Sequence, residues 1–465
     1  MAEKQGQVPY DDSNVSSIEE YAKRIVNKTL REALDLPPDA RPKGSGGKGA
    51  MGETVEEYYF RIKNNNVQGP DFPKVGVELK TTGLRYDAHN KPCAKERLAI
   101  TNINWMTILN EDFKKSHLMD KISKILLLAY DYDPNSDSVL DMRFRLATMW
   151  GVPERDKPQM LADWNTVLAK VRNGDADKVS GRDTVYLEAA TTGSGHGKKY
   201  PQPKSDRCAK PRRWALKSSY MTTVINQLFQ KKKYAPIKRE KDEENLTLHQ
   251  LVKARFHPYM GKTKKELKSI LQISASESAK NYYAIITKKI LGIGTDKSIE
   301  EFDKAGIMVR TIRRSHTGRV KESLSFPAMD YKKVACTDWE DSKLYGYMTT
   351  PYLFVVFRQC EEHGPLFLSQ LVWWTPTDED LAEAQRVYMI TKQHILSNDY
   401  DHFPGIKGLD GKGSHIHVRP HATKGETCLT PQGTRETKKS FWITNKYVQQ
   451  IIDQALDDQA LDDLQ

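Results

Sequence analysis

The run Gly69–Thr82, GPDFPKVGVELKTT, sets two acids and a base at a spacing that can do chemistry. Val75, Val77 and Leu79 alternate with Gly76, Glu78 and Lys80. A strand's side-chain period of two predicts the apolar set against a core, with Glu78 and Lys80 together on the opposite face. Asp71 enters from the preceding turn. Two carboxylates and an ammonium at a strand edge can hold a divalent cation and a water. A hard cation such as Mg²⁺ takes oxygen ligands and usually keeps several waters. It polarises a phosphoryl oxygen and lowers the pKa of a bound water. The lysine can orient or deprotonate that water and offset phosphate charge. The set suits phosphodiester hydrolysis. The same residues also fit an edge strand with a solvated, charged face.

Just upstream, Lys48–Glu56 reads KGAMGETVE. Its glycines interrupt regular structure, and helical spacing follows through Tyr58, Tyr59 and Ile62. Glu56 falls in the first turns of that helix, where it can aim a third carboxylate at the same cation. A P-loop is excluded. Pro42 stands where the first glycine is required, and Gly49 replaces the Ser/Thr that would hold Mg²⁺.

KGxxGxxxE followed by DFxxxGVELKT resembles the MutH family, which comprises the mismatch-repair nicking endonuclease and restriction-enzyme relatives that cut at GATC. Ser116–Leu126, SHLMDKISKIL, resembles the family segment with a further active-site lysine, here Lys121. Leu216–Thr222, LKSSYMT, resembles a DNA-contacting segment near the end of the nuclease domain. The resemblance implies Glu56, Asp71 and Glu78 as metal ligands and Lys80 and Lys121 as catalytic assistants. One departure is clear. Ala190-Thr191-Thr192 stands where the family's MutH branch has a DNA-reading Arg-Pro-Lys.

The elements that must position these groups fill a chain of 465 residues, long enough for two or three domains. Hydrophobic residues make up 38%, enough for ordinary cores, and no apolar run reaches membrane-spanning length. The start, MAEKQGQVPYDDSN, has no apolar signal region. Cys93, Cys208, Cys336, Cys360 and Cys428 are scattered without a CxxC pair, so neither a zinc site nor a disulfide framework is suggested. A reducing bacterial cytoplasm fits, with no membrane partner. The net charge of +11, from 72 basic and 61 acidic residues, favours phosphate backbones.

Along the chain, Ser17 and Glu20 form a capping-box pattern opening a core-facing helix over Ser17–Leu34. Lys80–Arg97 reads as strand, turn and strand, with Arg85, Lys91, Lys95 and Arg97 available to DNA. Ile125–Tyr130 is a buried-strand candidate, and Trp164–Val171 is helical. Residues 191–213 form a basic Gly/Pro-rich stretch in which only Asp206 opposes the cations. Such a loop can contact phosphates while a few side chains reach base edges. The DNA-contacting set is taken as Lys48, Thr192, Lys198, Lys199, Arg212, Arg213, Lys217 and Ser219. Gln230–Asn245 is charged and reads as a linker.

The second half repeats the first. Lys280–Tyr283 resembles Glu56–Tyr59, Glu301–Thr311 resembles Asp71–Thr81, Lys321–Leu324 resembles Lys95–Leu98, and Lys439–Trp442 echoes Ser218–Met221. The chemistry does not recur. Glu56 becomes Lys280, Glu78 becomes Met308 and Lys80 becomes Arg310. A Met and a Lys cannot replace hard oxygen ligands. His415–Lys424, HIHVRPHATK, supplies the Arg419-Pro420 that the first copy lacks. The HxH spacing also suits a metal, but no Cys or carboxylate cluster accompanies it. Arg419, His421, Lys439 and Ser440 are taken as effector DNA contacts.

These readings predict an α/β (α+β) protein of two restriction-endonuclease-like domains of the PD-(D/E)xK, MutH-like type, each a mixed sheet flanked by helices. Residues 1–230 form the catalytic domain, 231–246 a linker, and 247–465 a degenerate copy serving as an allosteric effector. The resemblance implies a type II restriction endonuclease that uses Mg²⁺ to cut double-stranded DNA at GATC. It acts as a dimer on DNA, beside a cognate DNA methyltransferase that is linked genetically rather than bound. A mismatch-repair nicking endonuclease and a non-cleaving DNA-binding regulator are the alternatives.

Overall fold

The computed structural model describes residues 8–41, 49–62, 69–87, 90–192, 199–408, 413–421 and 425–462. The chain divides into two compact units, one of residues 1–250 with 296–305, the other of 251–295 with 306–465. The charged stretch expected as a linker lies inside the first unit. There Ile237 is buried, and Tyr234–Ala235 pairs in parallel with Ser298–Ile299.

The first unit is built on the run Ile125–Asp131, ILLLAYD. Such continuous apolarity suits a strand covered on both faces, and its first six residues are all buried. With β1 Glu78–Tyr86, β2 Pro92–Ala94, β3 Leu98–Ile103 and this run as β4, and with β5 Phe144–Trp150, the main sheet has the order β2-β1-β4-β5. β1 and β4 are parallel, with Glu78 opposite Ile125 and Lys80 opposite Leu127. β3 belongs to a second, antiparallel sheet with β6 Leu187–Thr191 and β7 Arg212–Leu216, in the order β3-β7-β6.

The second unit repeats this plan. β8 Met308–Arg314 runs parallel to β10 Tyr352–Gln359, which pairs antiparallel with β11 Leu366–Trp374. β9 Leu324–Ser325, β12 Ile416–Pro420 and β13 Lys439–Ile443 form an antiparallel sheet in the order β9-β13-β12. Met308 stands opposite Tyr352 as Glu78 stands opposite Ile125. Ile443 meets Leu324 and Ile416, as Leu216 meets Leu98 and Leu187.

That register corrects one self-match. Lys439–Trp442 corresponds to the strand Arg212–Ala215, not to Ser218–Met221. The helix Ser218–Leu228 finds its counterpart in Asn445–Asp462. Aromatic and β-branched residues ending in Phe441, Trp442 and Ile443 favour the strand. The same register puts Arg419 and Pro420 in the places of Ala190 and Thr191.

Two local expectations also change. The amino-terminal helix is Val15–Lys23, capped by Asn14, whose Oδ1 accepts from the N–H groups of Ser16 and Ser17 at 2.9 and 3.2 Å. Ser17 instead accepts from Asp11 N–H. A left-handed Asn27 at φ 65° ends this stretch, and Thr29 and Glu32 box the next helix, Leu30–Ala33. Part of the basic stretch expected as a loop is a hairpin, Tyr200–Gln202 with Ser205–Ala209. Its Arg207 is opposed by Asp175 at 2.6 Å and Asp177 at 3.4 Å, so Asp206 does not act alone.

Between the helix Lys157–Arg172 and the second sheet, Trp164 stacks on Trp214 at 4.8 Å. The fully buried Asp163 accepts from the backbone N–H groups of Val185, Tyr186 and Leu187 at 2.8, 2.7 and 2.9 Å. This carboxylate sets where β6 begins. Asp163→Ala leaves those donors unsatisfied. It is expected to cost the first unit about 3 kcal/mol, read as a lower thermal midpoint of that unit's unfolding transition.

Candidate active site

Asp71 and Glu78 reach the site by a turn rather than by the alternating strand expected. Phe72 and Val77 pair as a bridge, and Gly76 between them is left-handed at φ 64°. A residue with a Cβ resists that conformation. The turn carries Asp71 back so that its Oδ2 accepts the Leu79 N–H at 2.8 Å. β1 starts only at Glu78, and Glu78 is 1% exposed rather than on a solvated face. Its Oε1 accepts from Lys80 Nζ at 2.6 Å and from Lys121 Nζ at 2.9 Å. Its Oε2 is buried without a partner. A buried carboxylate needs such compensation, because desolvating it costs several kcal/mol.

Lys121 is 43 residues away in sequence. It arrives on the helix His117–Ser123, whose cap Ser116 Oγ accepts the Met119 N–H at 3.3 Å, and which runs directly into β4. The parallel pairing of β1 with β4 is what joins the two lysines on one oxygen.

Glu56 comes from the helix Ala50–Thr54, which starts at a left-handed Gly49 and continues as the π-turn Val55–Tyr59. Such π-turns are rare and recur at functional sites. Tyr59 fixes this one. Tyr59 Oη donates to the Tyr21 carbonyl at 2.9 Å, Tyr21 Oη donates to the Tyr59 carbonyl at 3.1 Å, and the rings stack at 4.7 Å. The sequence shows these tyrosines only as core candidates. Their reciprocal bonds appear once the chain is folded.

The carboxylates are crowded. Burial, and then the charge of Asp71, pushes Glu56 up to about 7. Burial, and then Glu78, raises Asp71, against the pull of Lys80 and the Leu79 N–H. Repulsion among hard oxygen donors, together with a buried free oxygen on Glu78, fits a divalent cation. Among the described residues, however, no three acidic, His or Cys side chains close into one cage. Glu56, Asp71 and Glu78 therefore do not form the three-ligand cage expected. Asp71 and Glu78 with water suffice for Mg²⁺, which commonly binds through one or two carboxylates.

The candidate DNA contacts are spread over several settings. Lys48 and Lys198 lie outside the described residues. Thr192 is half-buried and Lys199 exposed. Arg212 donates to the Ala189 carbonyl at 2.7 Å, and Arg213 has a buried Nε without a partner. Lys217 donates to the Thr184 carbonyl, and burial lowers its pKa. Ser219 Oγ donates to the Lys304 carbonyl at 2.8 Å. These last two groups are occupied inside the unit.

In the second unit, the Arg419 guanidinium lies 3.7 Å over the Trp442 ring. His421 Nδ1 sits 2.9 Å from the Oγ of the buried Ser440 and 3.0 Å from the Phe326 carbonyl. Lys439 donates to the Tyr400 carbonyl. His415 pairs with Asp380 at 2.9 Å, while His417 is buried and held down to about 4, first by burial and then by Arg419. No metal cluster forms there among the described residues.

Residues 60–163 match a family described as DNA mismatch repair enzyme MutH. The matched stretch includes Asp71, Glu78, Lys80 and Lys121 and begins after Glu56. Over 490 residues the chain is 26% identical to the type II restriction enzyme Sau3AI of Staphylococcus aureus, covering 95% of this chain and 98% of that one. A stretch similar to MutH thus lies within the first unit, and the chain is similar along nearly its whole length to a type II restriction enzyme. No helix among the described residues is long and apolar enough to cross a membrane.

The raised pKa of Glu56 bears on stability. Ionising it in the fold is harder than in the unfolded chain, so it is neutral and harmless below 4.5 and opposes folding above about 7. Glu56→Gln is therefore expected to raise the thermal midpoint in EDTA above pH 7. The gain should shrink as the pH falls toward 4.5.

Proposed function

We propose that the protein is a type II restriction endonuclease that hydrolyses both strands of double-stranded DNA at GATC with Mg²⁺, its second unit being an effector that binds a further DNA site. The grip of Lys80 and Lys121 on one oxygen of Glu78, with Asp71 one turn away, carries this reading. The match to the MutH family supports the nuclease chemistry. The resemblance of the whole chain to a restriction enzyme supports the substrate. That GATC is the sequence read is taken from the kinship.

Asp71 and Glu78 would hold the cation with water, and Glu56 stands near Asp71. When bound, it supplies a Lewis acid for the phosphoryl oxygen and a water of lowered pKa. The chain's own groups do the remainder. Asp71 is aimed by the Leu79 N–H. Lys80 and Lys121 hold Glu78 and face the phosphate, where their charge offsets that gathering on phosphorus. Lys80, as an ammonium, orients the attacking water, whose proton passes to solvent. The water oxygen bonds to phosphorus as the P–O3′ bond breaks. The 3′ oxygen then takes up a proton, leaving a 3′-hydroxyl and a 5′-phosphate.

The second unit lacks this set, since Met308, Arg310 and Lys280 stand for Glu78, Lys80 and Glu56. It keeps the sheet on which Arg419 takes the place of Ala190. An arginine at that strand end suits base or phosphate contacts. Two copies of the chain on a twofold-symmetric site would cut both strands.

Plasmid digestion tests the reading. Pure protein with Mg²⁺ is expected to linearise GATC plasmids without a helper. Single-strand nicks that require a partner protein would favour the mismatch-repair role named by the family match. No Mg²⁺-dependent cleavage at all would favour a binding regulator. Glu78→Ala or Lys80→Ala should lower the cleavage rate by about a thousandfold or more while leaving DNA binding. A normal rate in either variant sinks the site. Arg419→Ala should slow cutting of one-site substrates, and Met308→Ala should leave the chemical step unchanged.

A further inference from the structure

We propose that Arg310 is a phosphodiester clamp in the second unit, standing in the strand position that Lys80 occupies in the first, so that this unit grips DNA without a metal. The inference rests on the reading that the second unit binds DNA.

The strand register fixes the position. Arg310 lies opposite Phe354 on the parallel pair β8–β10, as Lys80 lies opposite Leu127 on β1–β4. In the first unit the neighbouring group two residues back is a carboxylate that engages two ammonium groups. In the second it is Met308, which offers no charge.

The other acidic positions are also lost to Arg310. Lys280 takes the place of Glu56. Glu301 takes the place of Asp71, and its oxygens accept the Ile237 N–H at 3.0 and 3.1 Å within the first unit. Tyr347 follows its helix cap, Ser342, by five residues, as Lys121 follows Ser116. The charge of Arg310 reaches Tyr347 and Tyr352, opposing the rise in their pKa that burial causes. It is half-buried, its Nε is shut off from solvent without a hydrogen-bond partner, and it makes no ion pair among the described residues.

Leaving that buried Nε without a partner is costly. The guanidinium's fork of donors matches the oxygens of a phosphate. Tyr347 also walls a cavity of about 200 Å³ whose edge carries Lys333 and Lys343, both exposed. Asp330 also lines that cavity and offsets one of the two lysines, which leaves Arg310 as the cation without a carboxylate beside it among the described residues. The scaffold that presents a scissile phosphate to a cation in one unit would present a phosphate to a fixed cation in the other. That phosphate is held and not cut, because Arg310 supplies charge without an activated water.

Full-length chain in EDTA, carrying Glu78→Ala to prevent cleavage, would be titrated with a GATC duplex, and bound duplexes per chain counted. Arg310→Met is expected to weaken the second binding step about tenfold and to lower its slope against log salt by about one. Arg310→Lys should restore part of the loss. A duplex with one neutral methylphosphonate in the GATC site should bind the second step as weakly as Arg310→Met does, and combining the two should add little. Millimolar orthophosphate should not reproduce these effects, and its full occupation of Arg310 with the duplex still bound would overturn the assignment. If the methylphosphonate penalty is unchanged by Arg310→Met, Arg310 is not the clamp. If Arg419→Ala weakens the second step while Arg310→Met does not, the effector reading stands and this inference falls. A single duplex per chain in every variant overturns both.

Discussion

One buried oxygen organises the first unit. Oε1 of Glu78 accepts from Lys80, its neighbour on the same strand, and from Lys121, which only the parallel pairing of β1 with β4 brings there. The pairing is possible because Ile125–Asp131 is apolar enough to be covered on both faces. The helix before it ends where the strand begins, so Lys121 is delivered to the same end of the sheet at which Glu78 starts β1. The carboxylate is strongly desolvated. It is tolerated because two ammonium groups compensate one of its oxygens, which leaves the other for a cation.

The remaining carboxylates complete this arrangement at a cost in repulsion. Glu56 and Asp71 both resist ionisation, because they are buried and face other acids. The fold forces them together by means remote from the chemistry. The left-handed Gly76 returns Asp71 to the Leu79 N–H, and the Tyr21–Tyr59 exchange pins the turn bearing Glu56. Packing energy elsewhere holds charged groups in positions they would otherwise leave.

The second unit shows what the scaffold is without that chemistry. Its parallel pair, its antiparallel sheet and its registers follow the first unit closely. Only the polar set has changed, from acids and lysines to Met308, Arg310 and Tyr347. Backbone topology depends on apolar runs such as Tyr352–Phe357, which persist. The site depends on single side chains that can be exchanged without disturbing any of them. A sheet can therefore recur while the polar residues that it carries change.

The sequence by itself determined the two-fold repetition, the apolar strands and the residue types of the site, because periodicity and charge are local properties. It also marked Lys121, although only by resemblance to a family. It could not decide where β1 begins, since Val75 and Val77 alternate as a strand would while Gly76 turns the chain. It could not show that Glu78 is buried, because that depends on β4, which lies far away in sequence. Nor could it separate Ser218–Met221 from Arg212–Ala215 as the partner of Lys439–Trp442, since short aromatic and hydroxyl patterns suit either a helix start or a strand. Lys217 and Ser219 looked available for DNA, yet tertiary contacts with Thr184 and Lys304 engage them. Which side chains are free for a ligand is a property of long-range packing, and only the tertiary structure decides it.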